Sequence, residues 1–248
     1  MAVPLRVIID PPAAGAWNMA VDEALLLSDE FDGLTLRFYE WSEPTLSLGY
    51  FQALQDREQH AASRSCAVVR RASGGGAILH DLELTYSLVA PVPERFGAAA
   101  HELYLVAHQS LCVVLADLDV SASLYEPPSP APLKAVEPFL CFQRRSSGDV
   151  VLAESKICGS AQRRHLSRVL QHGSVLLGSS LAAPELLGLR ELTGREVSIA
   201  DFRGAWLAQL AQRLHADVVP AMLTSAQTLA AKQIVQGKFG NPKWTAKR

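Results

Sequence analysis

An α/β domain, with a sheet flanked by helices, is the fold class this sequence predicts. Three observations carry that expectation. Short apolar or alternating runs of strand length recur between Leu5 and Leu176. Segments with apolar residues at helical spacing begin near Asn18, His101 and Ser198. The composition, 49% hydrophobic and 19% charged over 248 residues, suits a chain with a full core. That length admits one large domain or two small ones. Strand-like runs continue beyond the proline-rich stretch YEPPSPAPLKAVEP (125–138). That stretch is therefore read as a surface loop and not as a linker. The expectation is one domain, with a catalytic core over 1–180 and a C-terminal helical portion over 181–248 packed on it.

Taken in order, LRVII (5–9) reads as a short apolar strand. NMAVDEALLL (18–27) reads as a helix, with Asn18 as N-cap and Asp22 and Glu23 near its positive end. LTLRFYEW (34–41) alternates as a half-buried strand does, and TLSLGY (45–50) and CAVVRR (66–71) follow. LTYSLVAP (84–91) is another strand, closed by Pro91. HELYLVAHQSLCVVLADL (101–118) reads as an amphipathic helix with Leu103, Val106, Leu111, Val114 and Leu115 near one face. DVVLAE (149–154), KICGSAQRR (156–164) and RVLQHGSVLLG (168–178) give three more strand-like runs. SIAD (198–201) opens a helix with Phe202, Trp206, Leu207, Leu210 and Leu214 inward. A last helix spans 225–235, and the basic stretch KFGNPKWTAKR (238–248) follows it.

Several function classes are disfavoured at this level. A net charge of -2 does not suit a nucleic-acid binder built on a phosphate-seeking surface. MAVPLRVIID lacks the apolar stretch of a signal peptide, and there is no apolar run of membrane-spanning length, so a cytoplasmic protein off the membrane is expected. Cys66, Cys112, Cys141 and Cys158 show no metal-ligand spacing, and free thiols in a reducing compartment are expected, with no metal.

RRASGGGAILHD (70–81) asks what approaches its backbone, because three consecutive glycines are costly to order. It joins two strand-like runs and is neither GxxxxGK[ST] nor the GxGxxG that opens a dinucleotide-binding helix. Cys141, between Leu140 and Phe142, fits a buried apolar thiol, yet Gln143-Arg144-Arg145 follow, and a thiol beside fixed positive charge can be a reactive thiolate. Lys156 fits a strand-start lysine with its ammonium in water, or a cation held near a thiol or a substrate carbonyl. Gly159, Ser160 and Ala161 are small enough to let their backbone reach the same ligand. His80 and the His172-Gly173 pair each fit a site wall or an ordinary strand histidine.

Four stretches in order, NMAVDEALL, RFYEWSEPTLSLGYFQ, RRASGGGAILHDLELTYS and KICGSAQRR followed by LQHGSVLL, resemble the lipoate–protein ligase and octanoyltransferase superfamily. The resemblance covers nearly the whole chain. It implies a mixed, largely antiparallel sheet with helices on one face, as in biotin and lipoate protein ligase catalytic domains. One octanoyltransferase type carries its cysteine three positions before the His of an HG pair, where this chain has Val169. A second type has CF in a separate loop and a lysine fifteen positions later, which Cys141-Phe142 and Lys156 match. HDLELTYS and the WTAKR stretch (244–248) are similar to that type as well, whereas QRRSSGD after Phe142 departs from its pattern.

That likeness implies an octanoyl-acyl carrier protein:protein N-octanoyltransferase. Cys141 takes octanoyl from the phosphopantetheine thioester of acyl carrier protein, and Lys156 favours the thiolate and polarises the acyl carbonyl. The acceptor is a lysine of a lipoyl domain such as the glycine-cleavage H protein. Thioester exchange is close to isoenergetic, so neither ATP nor a metal cofactor is expected. Arg71, Gly74, Gly75, Gly76 and His80 are expected to line an acyl tunnel, together with Gly159, Ser160, Ala161, His172 and Gly173. The competing readings are an ATP-dependent lipoate ligase, an amidotransferase between lipoyl domains and a catalytically silent binding module.

Overall fold

The structure is a computed structural model and describes residues 2–92, 97–128 and 137–248. Most of the proline-rich loop, 129–136, lies outside the described residues. Among the described residues, eleven strands form two sheets. The first half of the chain supplies β1 (Val3–Ile9), β2 (Leu34–Tyr39), β3 (Thr45–Leu48), β4 (Ala67–Arg70), β5 (Ile78–His80) and β6 (Glu83–Pro91). The second half supplies β7 (Ala122–Leu124), β8 (Val150–Leu152), β9 (Ser155–His165), β10 (Arg168–Leu176) and β11 (Ala216–Ala221). The large sheet has the order β11-β1-β2-β6-β10-β9-β8-β7, and β4-β3-β5 form the small one. In the large sheet β1 runs parallel to β11 and β2, and every other neighbouring pair is antiparallel. The mixed, largely antiparallel expectation holds.

Helices cover both faces, which corrects the expectation of one covered face. The cause is the two-residue period of β2 and β6, which are buried in both phases although one phase carries Thr35, Arg37, Thr85 and Ser87. Leu36, Phe38, Tyr86 and Leu88 point into a core with α2 (Gly97–Asp117) and α4 (Ile199–Arg213). Tyr39 and Val89 point the other way, into a core with α1 (Gly15–Leu27) and α5 (Ser225–Ile234). Between β10 and α4 lies the short α3 (Leu189–Thr193). Trp206 anchors the first core: it is fully buried, tilts against Phe38 and Tyr86, and donates its indole N–H to Ser110 Oγ at 2.9 Å. Leu103, Leu111, Val114 and Leu115 are buried as expected, while Val106 is only half-buried.

Two local expectations fail for identifiable reasons. α1 starts at Gly15 with Ala14 as N-cap, so Asn18 is not a cap. The Asn18 amide is buried and donates to the carbonyls of Ala13 and Glu40, while its oxygen accepts from Arg37. Asp22 accordingly lies in mid-helix and takes a second Arg37 hydrogen bond at 2.8 Å. A buried ion pair thus replaces the cap that the sequence suggested. The stretch from Leu181 also contributes a strand besides its helices. β11 carries Pro220 and is mostly exposed, so it has no strand periodicity, and its parallel pairing with β1 supplies the order instead.

α4 opens as expected, with Ser198 Oγ accepting from the Asp201 N–H. After α5 comes a π-helical turn, Val235–Phe239, and then α6 (Pro242–Thr245). Among the described residues no helix is long and apolar enough to cross a membrane.

Candidate active site

Cys141 opens a 3-10 turn, Cys141–Gln143, fixed by backbone bonds to the segment that leaves the glycines. The Cys141 N–H donates to Ala77 O at 2.7 Å, and the Ala77 N–H donates to Phe139 O at 3.0 Å. Leu140 and Phe142 drop into a third apolar cluster with Ala77 and with Leu46, Leu48 and Leu79 of the small sheet. This packing on both sides leaves the Cys141 thiol half-exposed between them.

The glycines themselves have two neighbours. Gly75 has φ +92, a conformation L side chains rarely adopt, and its carbonyl faces Gly49, where a Cβ would sit 2.0 Å away. Part of the close approach is therefore chain against chain. The loop also wraps Arg71, whose guanidinium donates to the carbonyls of Ser47, Gly74 and Gly76. Arg71 is 2% exposed and makes no carboxylate pair among the described residues. Burial pulls its ordinary value down to about 10, which still leaves it cationic at neutral pH, and the neighbouring Cys141 opposes that fall.

Lys156 enters from β9 beside an irregularity in the β8–β9 pairing. Its Nζ lies 2.8 Å from Asp149 Oδ2 and 4.0 Å from Cys141 Sγ, the outer limit for a hydrogen bond to sulfur. Asp149 is 1% exposed and is held in turn by the Tyr104 hydroxyl at 2.8 Å and the Ser146 N–H at 2.7 Å. Burial, and then the Asp149 charge, push the Tyr104 phenol well above its ordinary value, so Tyr104 stays a donor. Gly159 makes room for the lysine: a Cβ there would come within 2.6 Å of Nζ.

Three hydrogen-bonded chains surround this pair. His80 stacks on Trp41 at 3.8 Å, with Nδ1 2.6 Å from Glu83 Oε1 and Nε2 2.8 Å from Ser47 Oγ. Glu83 Oε1 also accepts from Thr85 and Ser174, while Oε2 is buried without a partner among the described residues. His172 meets Ser73 Oγ at 2.7 Å and lies 3.7 Å from Asp22. Ser160 bonds both Tyr86 and His108, each at 2.7 Å. Burial lowers His108 to about 4, so its ring is neutral; Nδ1–H donates to Gly148 O, and Nε2 is free to accept from Ser160.

A cavity of about 350 Å³ opens beside these groups. Cys141, Lys156, Arg71, Gly74, Gly75, His80, Gly159, Ser160, Ala161, His172 and Gly173 all line it. Gly76 does not: its Cβ position faces Arg144 and Phe139 O instead. Arg144 and Arg145 pair outward with Glu137 and Glu154, so the cations beside the sulfur are Lys156 and Arg71 and not the two arginines next in sequence. Asp149 and Tyr104 escaped the sequence reading. Tyr104 and His108 do carry a signal, a polar pair at four-residue spacing on an amphipathic helix, and Asp149 ends the Ser-Ser-Gly-Asp turn before β8. A nucleophile-sized sulfur, two cations and apolar walls from Met19, Ile78 and Phe142 suit attack on an acyl carbonyl with a hydrocarbon chain.

Known proteins are similar to this chain over nearly its whole length. An octanoyltransferase LipM from Carboxydothermus hydrogenoformans is 30% identical over 93% of this chain and 94% of its own. Another from Geobacillus kaustophilus is 32% identical over 96% and 95%. The solved structure of a bi-partite lipoate protein ligase from Thermoplasma acidophilum superposes with a TM-score of 0.77 at 21% identity, covering 99% of this chain and 96% of that one, which supports the fold. The lipoyl protein ligase A/B catalytic domain model matches residues 14–211, and the chain belongs to that family.

Proposed function

We propose that this protein transfers an octanoyl group from octanoyl-acyl carrier protein to a lysine ε-amine of a lipoyl domain, such as the glycine-cleavage H protein, in a reducing cytoplasm. The observation that carries this reading is Lys156 Nζ at 4.0 Å from Cys141 Sγ inside one cavity. Relatives named octanoyltransferase, about 30% identical over nearly the whole chain, support octanoyl as the group moved.

Cys141 thiolate attacks the donor's thioester carbonyl. The ammonium of Lys156 stabilises both the thiolate and the oxyanion that forms, at an effective strength well above that in water. The carrier's sulfur leaves and takes a proton, and octanoyl-S-Cys141 remains. A neutral lysine amine of the lipoyl domain then attacks, loses its extra proton and expels the Cys141 thiolate. One thioester and one amine become one amide and one thiol, so no ATP is consumed. Asp149 keeps the Lys156 side chain in place, and Tyr104 and Ser146 keep Asp149 in place. Arg71, Gly74, Gly75, His80, Gly159, Ser160, Ala161, His172 and Gly173 shape the acyl wall.

Purified protein, octanoyl-acyl carrier protein and apo H protein, mixed without ATP, are expected to give octanoyl-lysine on the H protein. Modification that requires ATP and free octanoate would contradict the reading and point to ligation.

A further inference from the structure

A braced patch of cations lies against the outer side of the glycine loop. Lys247 Nζ bonds the Tyr50 hydroxyl at 2.7 Å and sits over the rings of Tyr50 and Trp244 at 4.5 and 4.7 Å. The Arg248 guanidinium lies 5.3 Å from both Tyr50 and Phe51. Lys238 stacks on Trp244 at 4.5 Å and is paired with Glu23. Burial, and then the charges of Arg163 and Lys247, pull Lys238 below its ordinary value against the effect of Glu23. Among the described residues Glu23 is the one carboxylate paired with this group; Arg163, Lys247 and Arg248 have none.

The patch is built, not a loose tail. Fully buried Arg70 donates to Trp244 O and Thr245 O on one side and to Gly49 O and Gln52 O on the other. Trp244 returns its indole N–H to Arg70 O at 2.8 Å. The brace reaches the active site. The Tyr50 N–H donates to Ser73 O, and the Phe51 ring, 72% exposed, lies 3.8 Å from the Cβ position of cavity-lining Gly74. Arg163 donates to Ala72 O of the same loop.

Holding like charges together with so little compensation costs stability, in a chain whose net charge is -2. An anionic partner recovers that cost. Both substrates of the proposed reaction are proteins, and their chemistries differ. The donor's thioester hangs from a phosphodiester-linked arm, which places an anion between the carrier and the reacting carbonyl. The acceptor presents a lysine, which a cationic rim repels.

We propose that Arg163, Lys238, Lys247 and Arg248, with Phe51 as the apolar contact, dock the acyl-donor carrier protein through an acidic face and its arm's phosphodiester. This deepens the octanoyltransferase reading and rests on it. The surface then speeds formation of octanoyl-Cys141 and does not serve the later transfer to the lipoyl domain.

The test is the double variant K247E/R248E, with K247A/R248A as the milder form, neither residue being in the catalytic cavity. Three rates are compared with the unaltered protein: Cys141 acylation by octanoyl-acyl carrier protein, Cys141 acylation by octanoyl-N-acetylcysteamine, and transfer from preformed octanoyl-enzyme to apo H protein. The expected result is a carrier-dependent rate at least tenfold lower for K247E/R248E, with a flatter dependence on salt, and the other two rates within twofold. An unchanged carrier rate overturns the proposal. So does an equal fall with the small thioester, which makes the patch a support of the site, and so does a selective fall in transfer, which makes it the acceptor's surface. No acylation of the unaltered protein by either donor overturns the octanoyltransferase reading itself.

Discussion

Cys158 is two residues from Lys156 along β9, and Cys141 is fifteen residues away in a loop turn, yet of the two only the distant thiol borders the cavity. Cys158 is fully buried; burial first, and the Asp149 charge next, push its thiol well above the ordinary value, and the nearby Lys156 does not offset them. Cys141 is half-exposed, borders the cavity and meets the ammonium at 4.0 Å. Nearness to a cation is thus not enough to make a nucleophile. The thiol must also keep a path to its substrate, and the turn pinned on Ala77 provides that where the strand does not.

The largest expected effect separates the two thiols outright. Cys141→Ser lowers ATP-independent octanoyl transfer by about a thousandfold or more, because the less acidic hydroxyl replaces the thiolate. Cys158→Ala leaves transfer within about threefold, despite some lost packing. Comparable losses from both variants, measured as octanoyl-lysine formed on the H protein, would break the contrast.

The second effect concerns the core on the Cys158 side. His108, which lies 3.8 Å from Cys158 Sγ, is fully buried and neutral, its folded value lowered from 6.5 to about 4. The unfolded chain therefore binds more protons than the folded one in that window. Its contribution is present above about 6.5 and is lost as pH falls toward 4, on the order of 3 kcal/mol in all. Urea unfolding of His108→Gln at pH 7 and pH 5 checks this: the variant's stability is expected to depend less on pH over that interval. An identical pH dependence would remove His108 from the account.

A smaller effect sharpens the Cys141 side. Lys156→Ala slows Cys141 acylation at least tenfold, roughly 1.4 kcal/mol or more. Asp149→Asn, which leaves the ammonium present but less firmly held, slows it about threefold to tenfold by loss of positioning. Alkylation of Cys141 by iodoacetamide across pH, followed by peptide mapping, is expected to change with Lys156→Ala. An unchanged profile would contradict the role given to the ammonium.

These residues also show what the sequence made legible. Cys141 and Lys156 were readable because a family resemblance fixed their spacing, while periodicity located β2, β6, β9, β10, α2 and α4. Asp149 was not readable, since a carboxylate in a Ser-Ser-Gly-Asp turn looks like any turn residue until β8 and β9 pair and bring it to Lys156. Arg144 and Arg145 misled for the converse reason: adjacent in sequence to Cys141, they turn to Glu137 and Glu154 at the surface. Asn18 looked like a cap because its residue type suits one, and its partners Arg37, Glu40 and Ala13 explain its burial within α1. β11 gave no strand signal, because an edge strand need not alternate.

The most direct measurement is the mass of the intact protein after brief exposure to octanoyl-acyl carrier protein, with the modified peptide then sequenced. One octanoyl group is expected on Cys141, stable until apo H protein is added and then lost as the H-protein lysine gains it. An adduct on Cys158 or on no cysteine, while octanoyl still reaches the H protein, would contradict a relay through Cys141.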